Sequence, residues 1–402
     1  MAKFDSKSFN PQAFGAYVEN VPNVKKTELA RSKAIGTNTQ AETALSTQTG
    51  SLYARIPYFG NIDSSTSQNN DGATNITSSN LTTYEQGFIV ASRMDSWTER
   101  SFSQNITAGV NFMDEVGKQI ANYKWEVRQD ILLAILKGIF SMKTTGSGVA
   151  EKAAKEFIEK HVYDITNDIT GDEPGHVGVT SLNKAIQKAA GDNKNIFKLV
   201  VTHSEVATNL ENLKLLKYLT YNDANGVEQD LTVGTWNGRI VLIDDNMPTA
   251  EIAERYVACK STTEGALKCT TAGSGAGEVK LSDVQTTLPS AKENDYVLLL
   301  SAGTAYTSYV LGEGSIVLKD IGDSVPYEMS RDPKVNGGQD TLYARDRYIC
   351  GAKGISFEKP SSLTASASNE DLSTGTNWNI INDGTNAIAH KAIPICKIVS
   401  LG

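Results

Sequence analysis

The alternation of apolar and polar positions is most regular between residues 111 and 142. Apolar side chains recur there at steps of three and four, which is the spacing of one face of an α-helix. Asn111 is placed to cap the start and the Gly146/Gly148 pair to follow the end. About thirty residues at 1.5 Å each predict a rod of roughly 45 Å whose apolar stripe needs a sheet or a helix beneath it. The stripe comprises Met113, Val116, Ile120, Tyr123, Val127, Ile131, Ile135 and Ile139.

Residues 46–104 have an extended pattern. Two apolar and β-branched runs, 52–58 and 82–93, flank a polar stretch at 64–72 that ends in Asp71-Gly72. Such turn-forming residues between two strand-like runs predict a long hairpin. An isolated two-stranded ribbon is only marginally stable in water. The hairpin is therefore expected either to pack on its own domain or to project onto a neighbouring molecule.

The first 45 residues form a polar arm with sparse aromatic anchors. Six Lys or Arg residues stand against four Asp or Glu residues, so the arm is basic on an acidic chain. An arm without a core of its own either stays flexible or lies on another surface. A net-acidic neighbouring subunit is one such surface.

Residues 175–350 alternate between helix and strand patterns and predict a compact α/β lobe. Within it, helices are expected at 180–190 and 204–218, with Ser204 as an N-cap, and strands at 197–202 and 238–243. A further short helix is expected before the lobe, at 149–159. The Gly-, Thr- and Ser-rich stretch 259–290 predicts a loop or a small inserted flap. Further strand-like runs occupy 296–300, 305–311, 315–318, 347–350 and 393–399.

Composition excludes several classes of protein. The chain has 402 residues, a net charge of −8 and 40% hydrophobic residues, so it is an ordinary folded protein and not a basic nucleic-acid binder. Its four cysteines have no zinc-ligand spacing and predict free thiols. No secretory leader is expected, and the longest apolar run, 131–139, is too short to cross a membrane.

No motif predicts catalysis, a metal or a cofactor. Asp244 and Asp245 are neighbours at the end of a predicted strand, where successive side chains point to opposite faces. His203 precedes a predicted helix start, and the glycine-rich stretch at 273–277 lacks the Gly-Lys-Ser/Thr of a phosphate loop. A serine–histidine–aspartate triad remains open, because such triads assemble in space and not in sequence.

Charged residues of the arm and the hairpin are the candidates for contacts between subunits. On a protruding ribbon, alternating signs of charge would fix the register with a neighbouring molecule. The hairpin contributes one residue on its first strand and four just past its second. The candidates are Lys25, Lys26, Arg31, Arg55, Arg93, Asp95, Glu99 and Arg100.

An ordered set of segments covering about 85% of the chain resembles the major capsid proteins of tailed bacteriophages, which have the Hong Kong 97-type fold. Residues 4–19, 46–50 and 98–102 are similar to a family of coat proteins from phages of Gram-positive hosts. The segments are 4–19, 46–50, 98–102, 238–248, 306–314, 343–348 and 354–357.

This resemblance implies an α+β fold and a part for each segment. The arm would be the N-arm, the hairpin the E-loop, and the rod the spine helix of a P-domain with an antiparallel sheet. The α/β lobe would be the A-domain, with 259–290 as a possible insertion or flap. The implied bounds are 1–45, 46–104, 105–174, 175–350 and, for the return to the P-domain, 351–402.

The resemblance also implies a function and partners. The chain would assemble with many copies of itself, as hexamers and pentamers, into a virion capsid built in the host cytoplasm. A separate scaffolding protein and a portal protein would take part in assembly. The resemblance is also compatible with a decoration protein bound to the shell. The shell would enclose double-stranded DNA without reading its sequence, and it would need no cofactor.

Three alternatives stay open. The first is an encapsulin-type compartment of the same fold, which would hold cargo in place of DNA. The second is another phage structural protein, such as a tail-tube or decoration protein, although the long helix disfavours a mostly β tube. The third is a soluble enzyme.

Overall fold

The structure is a computed structural model that describes most of the chain. It covers residues 10, 12, 14, 32–46, 52–60, 67–78, 82–100, 112–169, 174–222 and 228–402. For residues 112–118, 218–222 and 228–233 only the backbone is described.

Strands predominate over helices in the described ranges, and the mixed α+β class is confirmed. The helices are α1 (Thr39–Ser46), α2 (Phe112–Ile139), α3 (Val149–His161), α4 (Ser181–Ala190), α5 (Ser204–Asn212), α6 (Leu281–Val284) and α7 (Asn369–Ser373). The first ten strands are β1 (Ile35–Gly36), β2 (Tyr53–Phe59), β3 (Thr83–Arg100), β4 (Val162–Asp164), β5 (Phe197–Thr202), β6 (Leu216–Asn222), β7 (Glu228–Trp236), β8 (Arg239–Ile243), β9 (Thr249–Ile252) and β10 (Arg255–Ala258). The others are β11 (Leu267–Thr270), β12 (Glu278–Lys280), β13 (Tyr296–Leu300), β14 (Gly303–Gly312), β15 (Ile316–Asp320), β16 (Tyr327–Asp332), β17 (Gln339–Ala352), β18 (Ile355–Phe357), β19 (Trp378–Ile380) and β20 (Ile395–Ser400).

The chain divides into two compact units, each formed from two segments. The first comprises Met1–Glu159 and Gly312–Pro394, and the second comprises Lys160–Leu311 and Ile395–Gly402. The sequence instead predicted boundaries at 174/175 and 350/351. Strands β15, β16 and β17 account for this difference, because they pair with one another and with β3 in the first unit.

The sheet of the first unit is organised around two long antiparallel strands. β3 pairs with β17 continuously from Ile89, opposite Cys350, to Arg100, opposite Gln339. The other half of β3 pairs with β2, which makes the predicted hairpin. The predicted second strand, 82–93, is seven residues too short at its C-terminal end, because β17 continues the pairing to Arg100.

Helix α2 is the predicted rod and packs on this sheet. Ile120, Ile131, Ile135 and Ile139 are buried, as the periodicity predicted. The helix ends at Ile139, three residues before the predicted end. Near that end a side chain at Gly138 would collide with the carbonyl of Leu372, so glycine is required where α7 crosses the helix.

The described part of the arm packs on its own unit. β1 pairs in parallel with β15, and Ala41 and Leu45 of α1 are buried against the sheet. Phe14 packs edge-on against Tyr327, with ring centroids 4.9 Å apart. The described residues of the arm therefore lie on a surface of their own molecule. The sequence had suggested the surface of a neighbouring subunit as one possibility.

The second unit contains residues 175–311 of the predicted α/β lobe. Its sheet has the order β4-β20-β14-β5-β8-β7-β6, and β9 pairs with β14. β5 and β8 run parallel, with Leu199 opposite Ile240. Helix α4 buries its apolar face in the core of this unit, which includes Leu182, Ile186 and Trp236.

The stretch 259–290 was predicted as a loop or a flap, and it contributes two short strands, β11 and β12, to a second small sheet. β10, β13, β11 and β12 form a four-stranded sheet in that order. Cys269, Val279, Val284 and Val297 are buried in a core of their own. The two short strands and this small core were not predicted, because glycines and threonines separate the widely spaced apolar residues.

The helix predicted at 204–218 is also shorter than expected. It ends at Asn212, and Leu216 begins β6. Lys214 has φ 55°, a left-handed conformation that stops the helix. The N-cap is His203 and not Ser204, since the His203 side chain accepts a hydrogen bond from the backbone N–H of Glu205.

Replacing Ile131 in α2 should prevent the first unit from folding. Ile131 is fully buried, and Ile131→Asp would place a carboxylate in an apolar core without a partner. Ile131→Val removes one methylene and should cost only about 1 kcal/mol. Urea unfolding followed by circular dichroism compares the two. An Ile131→Asp protein with parental stability would contradict the placement of this helix face in the core.

Candidate assembly interface

The structure describes five of the eight predicted contact residues, all of them on β2 or β3. Arg55 lies on β2, and Arg93, Asp95, Glu99 and Arg100 lie on β3. Lys25, Lys26 and Arg31 lie outside the described residues. The sequence placed Arg93, Asp95, Glu99 and Arg100 just past the second strand of the hairpin, but all four lie within β3.

Arg55 binds partners within its own chain. Its Nη2 lies 2.9 Å from Glu358 Oε2, and its Nη1 lies 3.5 Å from Glu85 Oε2. Its Nε donates to the hydroxyl of Tyr53 at 3.1 Å, and this hydrogen bond contributes most to raising the pKa of Arg55. The guanidinium is about half exposed, so these ion pairs contribute little stability. A further acidic group could still reach it.

Arg93 fixes a distant segment against the edge of the sheet. Its Nη1 donates to the carbonyl oxygen of Ala367 at 2.9 Å, and its Nη2 donates to Asn369 Oδ1 at 2.6 Å. These bonds anchor the start of α7 beside β3. The role that the structure gives to Arg93 is therefore within the subunit.

Asp95 and Glu99 face α2, on the same side of the sheet. Asp95 is hydrogen-bonded to Tyr123, and burial followed by this hydrogen bond raises the pKa of Tyr123 to about 12. Glu99 is only 5% exposed and lies opposite Asp340 in the register. Alternation places Arg100 on the opposite, exposed face. Of the four predicted contact residues on β3, Arg100 is thus the one directed away from α2.

A second ion pair joins α2 to the sheet. Lys124 Nζ lies 2.6 Å from Asp346 Oδ1 and 4.4 Å from the centre of the Tyr327 ring. Burial would lower the pKa of Lys124, but the attraction of Asp346 outweighs it and the pKa is raised. Burial also raises the pKa of Asp346, against the pull of Lys124. The short separation favours the ionised pair, so each charge depends on the other.

One turn further along α2, Arg128 repeats this arrangement. Its Nη2 lies 3.0 Å from Asp320 Oδ2, and its guanidinium lies over the rings of Trp125 and Tyr348 at 4.6 and 5.1 Å. Burial raises the pKa of Tyr348 well above its usual range, so the phenol stays neutral. Together the two cations hold the helix in one register on the sheet.

The hairpin also exposes apolar side chains that are not among the predicted contact residues. Met94 on β3 is 80% exposed, and Ile76 beyond the strands is 84% exposed. Phe59 at the end of β2 is exposed as well. Their signal was present in the sequence, because Met94 alternates with residues that face α2. The contact residues were predicted from their charge, and Met94, which carries none, was therefore left out.

The two neighbouring carboxylates that were considered for catalysis, Asp244 and Asp245, lie in different environments. Asp244 is 4% exposed, and its Oδ1 accepts from the backbone N–H of Asn246. The side chain of Asp245 is 74% exposed, and its Oδ1 lies 3.9 Å from His203 Nε2. The predicted strand-ending turn is confirmed. No group of three or more His, Cys, Asp or Glu side chains suited to a metal ion occurs in the described ranges.

The cysteines and the apolar character of the helices were also considered from the sequence. All four cysteines are free thiols, as predicted, and burial raises the pKa of Cys350 to about 12. Among the described helices, none has both the length and the apolar character needed to cross a membrane.

Comparison with known proteins gives matches among solved structures alone. No protein-family model and no curated protein matches the chain. It is similar to the capsid asymmetric unit of cyanophage Pam1, with 11% identity, a TM-score of 0.47 and coverage of 100% of this chain and 97% of that one. It is also similar to the capsid of Ralstonia phage GP4, with 10% identity, a TM-score of 0.48 and coverage of 92% and 87%. The acid-stable capsid of Helicobacter pylori bacteriophage KHP30 matches with 12% identity, a TM-score of 0.44 and coverage of 88% and 84%. At these identities and TM-scores the likeness alone establishes neither family nor function.

Removing Lys124 should destabilise the first unit much more than removing an exposed lysine. Lys124→Met leaves the largely buried Asp346 carboxylate unpaired, which should cost roughly 3 kcal/mol. The double variant Lys124→Met/Asp346→Leu should recover most of that loss. Lys155→Met, which breaks an exposed pair with Glu159, is the matched control with little effect. Urea unfolding measures all three, and equal stabilities for Lys124→Met and Lys155→Met would contradict the role of the buried pair.

Proposed function

We propose that this chain is the major capsid protein of a tailed bacteriophage, the subunit that assembles into an icosahedral head around the DNA genome. The observation that carries the proposal is the long β2–β3 hairpin joined to a helix-backed sheet. β3 has 18 residues, against an average of about five or six for strands in globular proteins. The ordered sequence resemblance to such coat proteins supports the same conclusion.

The proposed parts follow from what each segment can contact. α2 and its sheet form a rigid P-domain, held by the buried Lys124–Asp346 pair. The hairpin, as the E-loop, carries the exposed Ile76 towards a neighbouring subunit. The second unit, with its central parallel pair, corresponds to most of the A-domain that gathers around hexamer and pentamer axes.

A shell built in this way gains strength from repetition. Each hairpin contact is weak alone, but once one contact forms the next becomes effectively intramolecular, and modest affinities multiply. The net charge of −8 suits a wall that encloses DNA without binding it tightly. The role is structural, and the proposed partners are other copies of the chain, a scaffolding protein, a portal protein and a decoration protein.

Electron microscopy of the purified chain tests the proposal directly. The chain is expressed alone and together with a candidate scaffolding protein encoded beside it. Closed shells under either condition are the expected result. A uniform population of monomers or small oligomers under both conditions would contradict the proposal. Shells that fill with a host protein and never with DNA would favour the encapsulin-type compartment.

Reversing the charge of Arg100 should weaken assembly without unfolding the subunit. Arg100 lies at the end of β3 on the face directed away from α2, so Arg100→Glu changes the surface and not the core. We expect parental thermal stability and about a tenfold rise in the concentration needed for assembly, the equivalent of one lost charged contact. Lys260→Glu, an equally exposed charge reversal in the second unit, is the control. Normal shells from Arg100→Glu would remove Arg100 from the interface.

A further inference from the structure

One stretch of β3 has a backbone edge that no residue in the described part of the chain pairs with. The register with β17 runs from Ile89 to Arg100 without a shift. The N–H of Val90 donates to Leu52 and its carbonyl accepts from Ala367, so both groups of Val90 point away from β17. Because backbone direction alternates along a strand, the groups of Met94, Ser96 and Thr98 also point away from β17.

No described residue pairs with those outward groups. Neither a strand nor a loop in the described ranges bonds to the backbone of Met94, Ser96 or Thr98 on that side. Other edges of this sheet are protected: Pro57 interrupts the outer edge of β2, and Pro326 and Pro333 flank β16. A proline-free open edge is a template on which another strand can add.

A matching segment without regular secondary structure lies beyond the hairpin strands, at residues 75–78. Gln68 binds the backbone of Thr77 on one side, with its Nε2 donating to the carbonyl and its Oε1 accepting from the N–H. The backbone groups of Ile76 and Ser78 have no hydrogen bond to another described residue. The segment, Asn-Ile-Thr-Ser, contains no proline and no charge.

This segment cannot reach the open edge of its own molecule. From Thr83 to Met94 the strand rises about 36 Å, at 3.3 Å per residue. The five residues from Ser78 to Thr83 span at most about 18 Å when fully extended. Any pairing between the two must therefore join two molecules.

We propose that residues 75–78 of one copy add as a strand to the β3 edge at residues 94–98 of a second copy. Ile76 then lies beside Met94 on the face of the sheet opposite α2, so that two of the most exposed apolar side chains cover each other. This contact rests on the proposed shell function and specifies which strand receives the hairpin.

Cysteine cross-linking tests the pairing. Ile76→Cys and Met94→Cys are placed together in one chain, with the partly exposed Cys259 replaced by serine in every variant. Under mild oxidation the double variant should give a ladder of covalent oligomers, and each single variant should stay monomeric on non-reducing gels. Dimers from Met94→Cys alone would overturn the proposal, because the edge would then pair with itself.

Proline at position 96 tests the same edge without a new thiol. Ser96→Pro removes an N–H that points away from β17, so the ladder within the subunit keeps its bonds. Ser96→Ala removes the hydroxyl and keeps the N–H. We expect Ser96→Pro to raise the concentration needed for assembly about tenfold and Ser96→Ala to leave it unchanged. A folded Ser96→Pro chain that assembles like the parent would overturn the proposal. If Ser96→Pro does not fold, the cross-linking result decides.

The two proposals fail in different ways. Closed shells in which the double cysteine variant does not cross-link would overturn the strand pairing and leave the shell function intact. A cross-linked ladder without closed shells would overturn the shell function and support the pairing. Neither shells nor cross-links would overturn both.

Discussion

The antiparallel pairing of β3 with β17 is the contact on which the first unit depends. It joins residues as far apart in sequence as Thr98 and Thr341, which are 243 positions apart and hydrogen-bonded through their side chains. β2, β15, β16 and β18 each pair with one of these two, β1 and β19 continue the sheet from β15 and β18, and α2 lies on the surface that they form. The hairpin depends on it as well, because β3 extends from this sheet into the ribbon. Loop-closure entropy opposes such distant pairing, so this ladder is expected to form slowly during folding.

Much of the local structure could be predicted from the sequence. The periodicity of Ile131, Ile135 and Ile139 located α2, and the run at 197–202 located a buried strand. These predictions succeeded because burial of one face spaces the apolar residues at a period of about 3.6 residues in a helix and about two residues in a strand. The small sheet at β10–β13 was missed because its core residues are separated by glycine-rich turns. The end of β3 was missed because its pairing partner lies far away in sequence.

The candidate interface was less predictable for a physical reason. Charge pattern singled out Arg93 and Glu99, but sequence does not reveal that Arg93 binds Ala367 and Asn369 of its own chain or that Glu99 is buried. A charged residue on a strand can face a neighbouring molecule or a helix of the same molecule. Only the register with β17 and the position of α2 distinguish the two cases. The exposed backbone edge at residues 94–98 has no sequence signature of its own beyond the absence of proline.

The order of the strands in the second unit has a consequence for synthesis of the chain. β20 lies between β4 and β14, in the interior of the sheet, but it follows β14 only after the whole of the second segment of the first unit. A chain emerging from the ribosome therefore holds an incomplete sheet until residues 395–400 have been made. The sheet of the second unit is therefore completed only after both units have been synthesised. Prematurely terminated chains lack an interior strand of this sheet and leave β4 without the strand it pairs with.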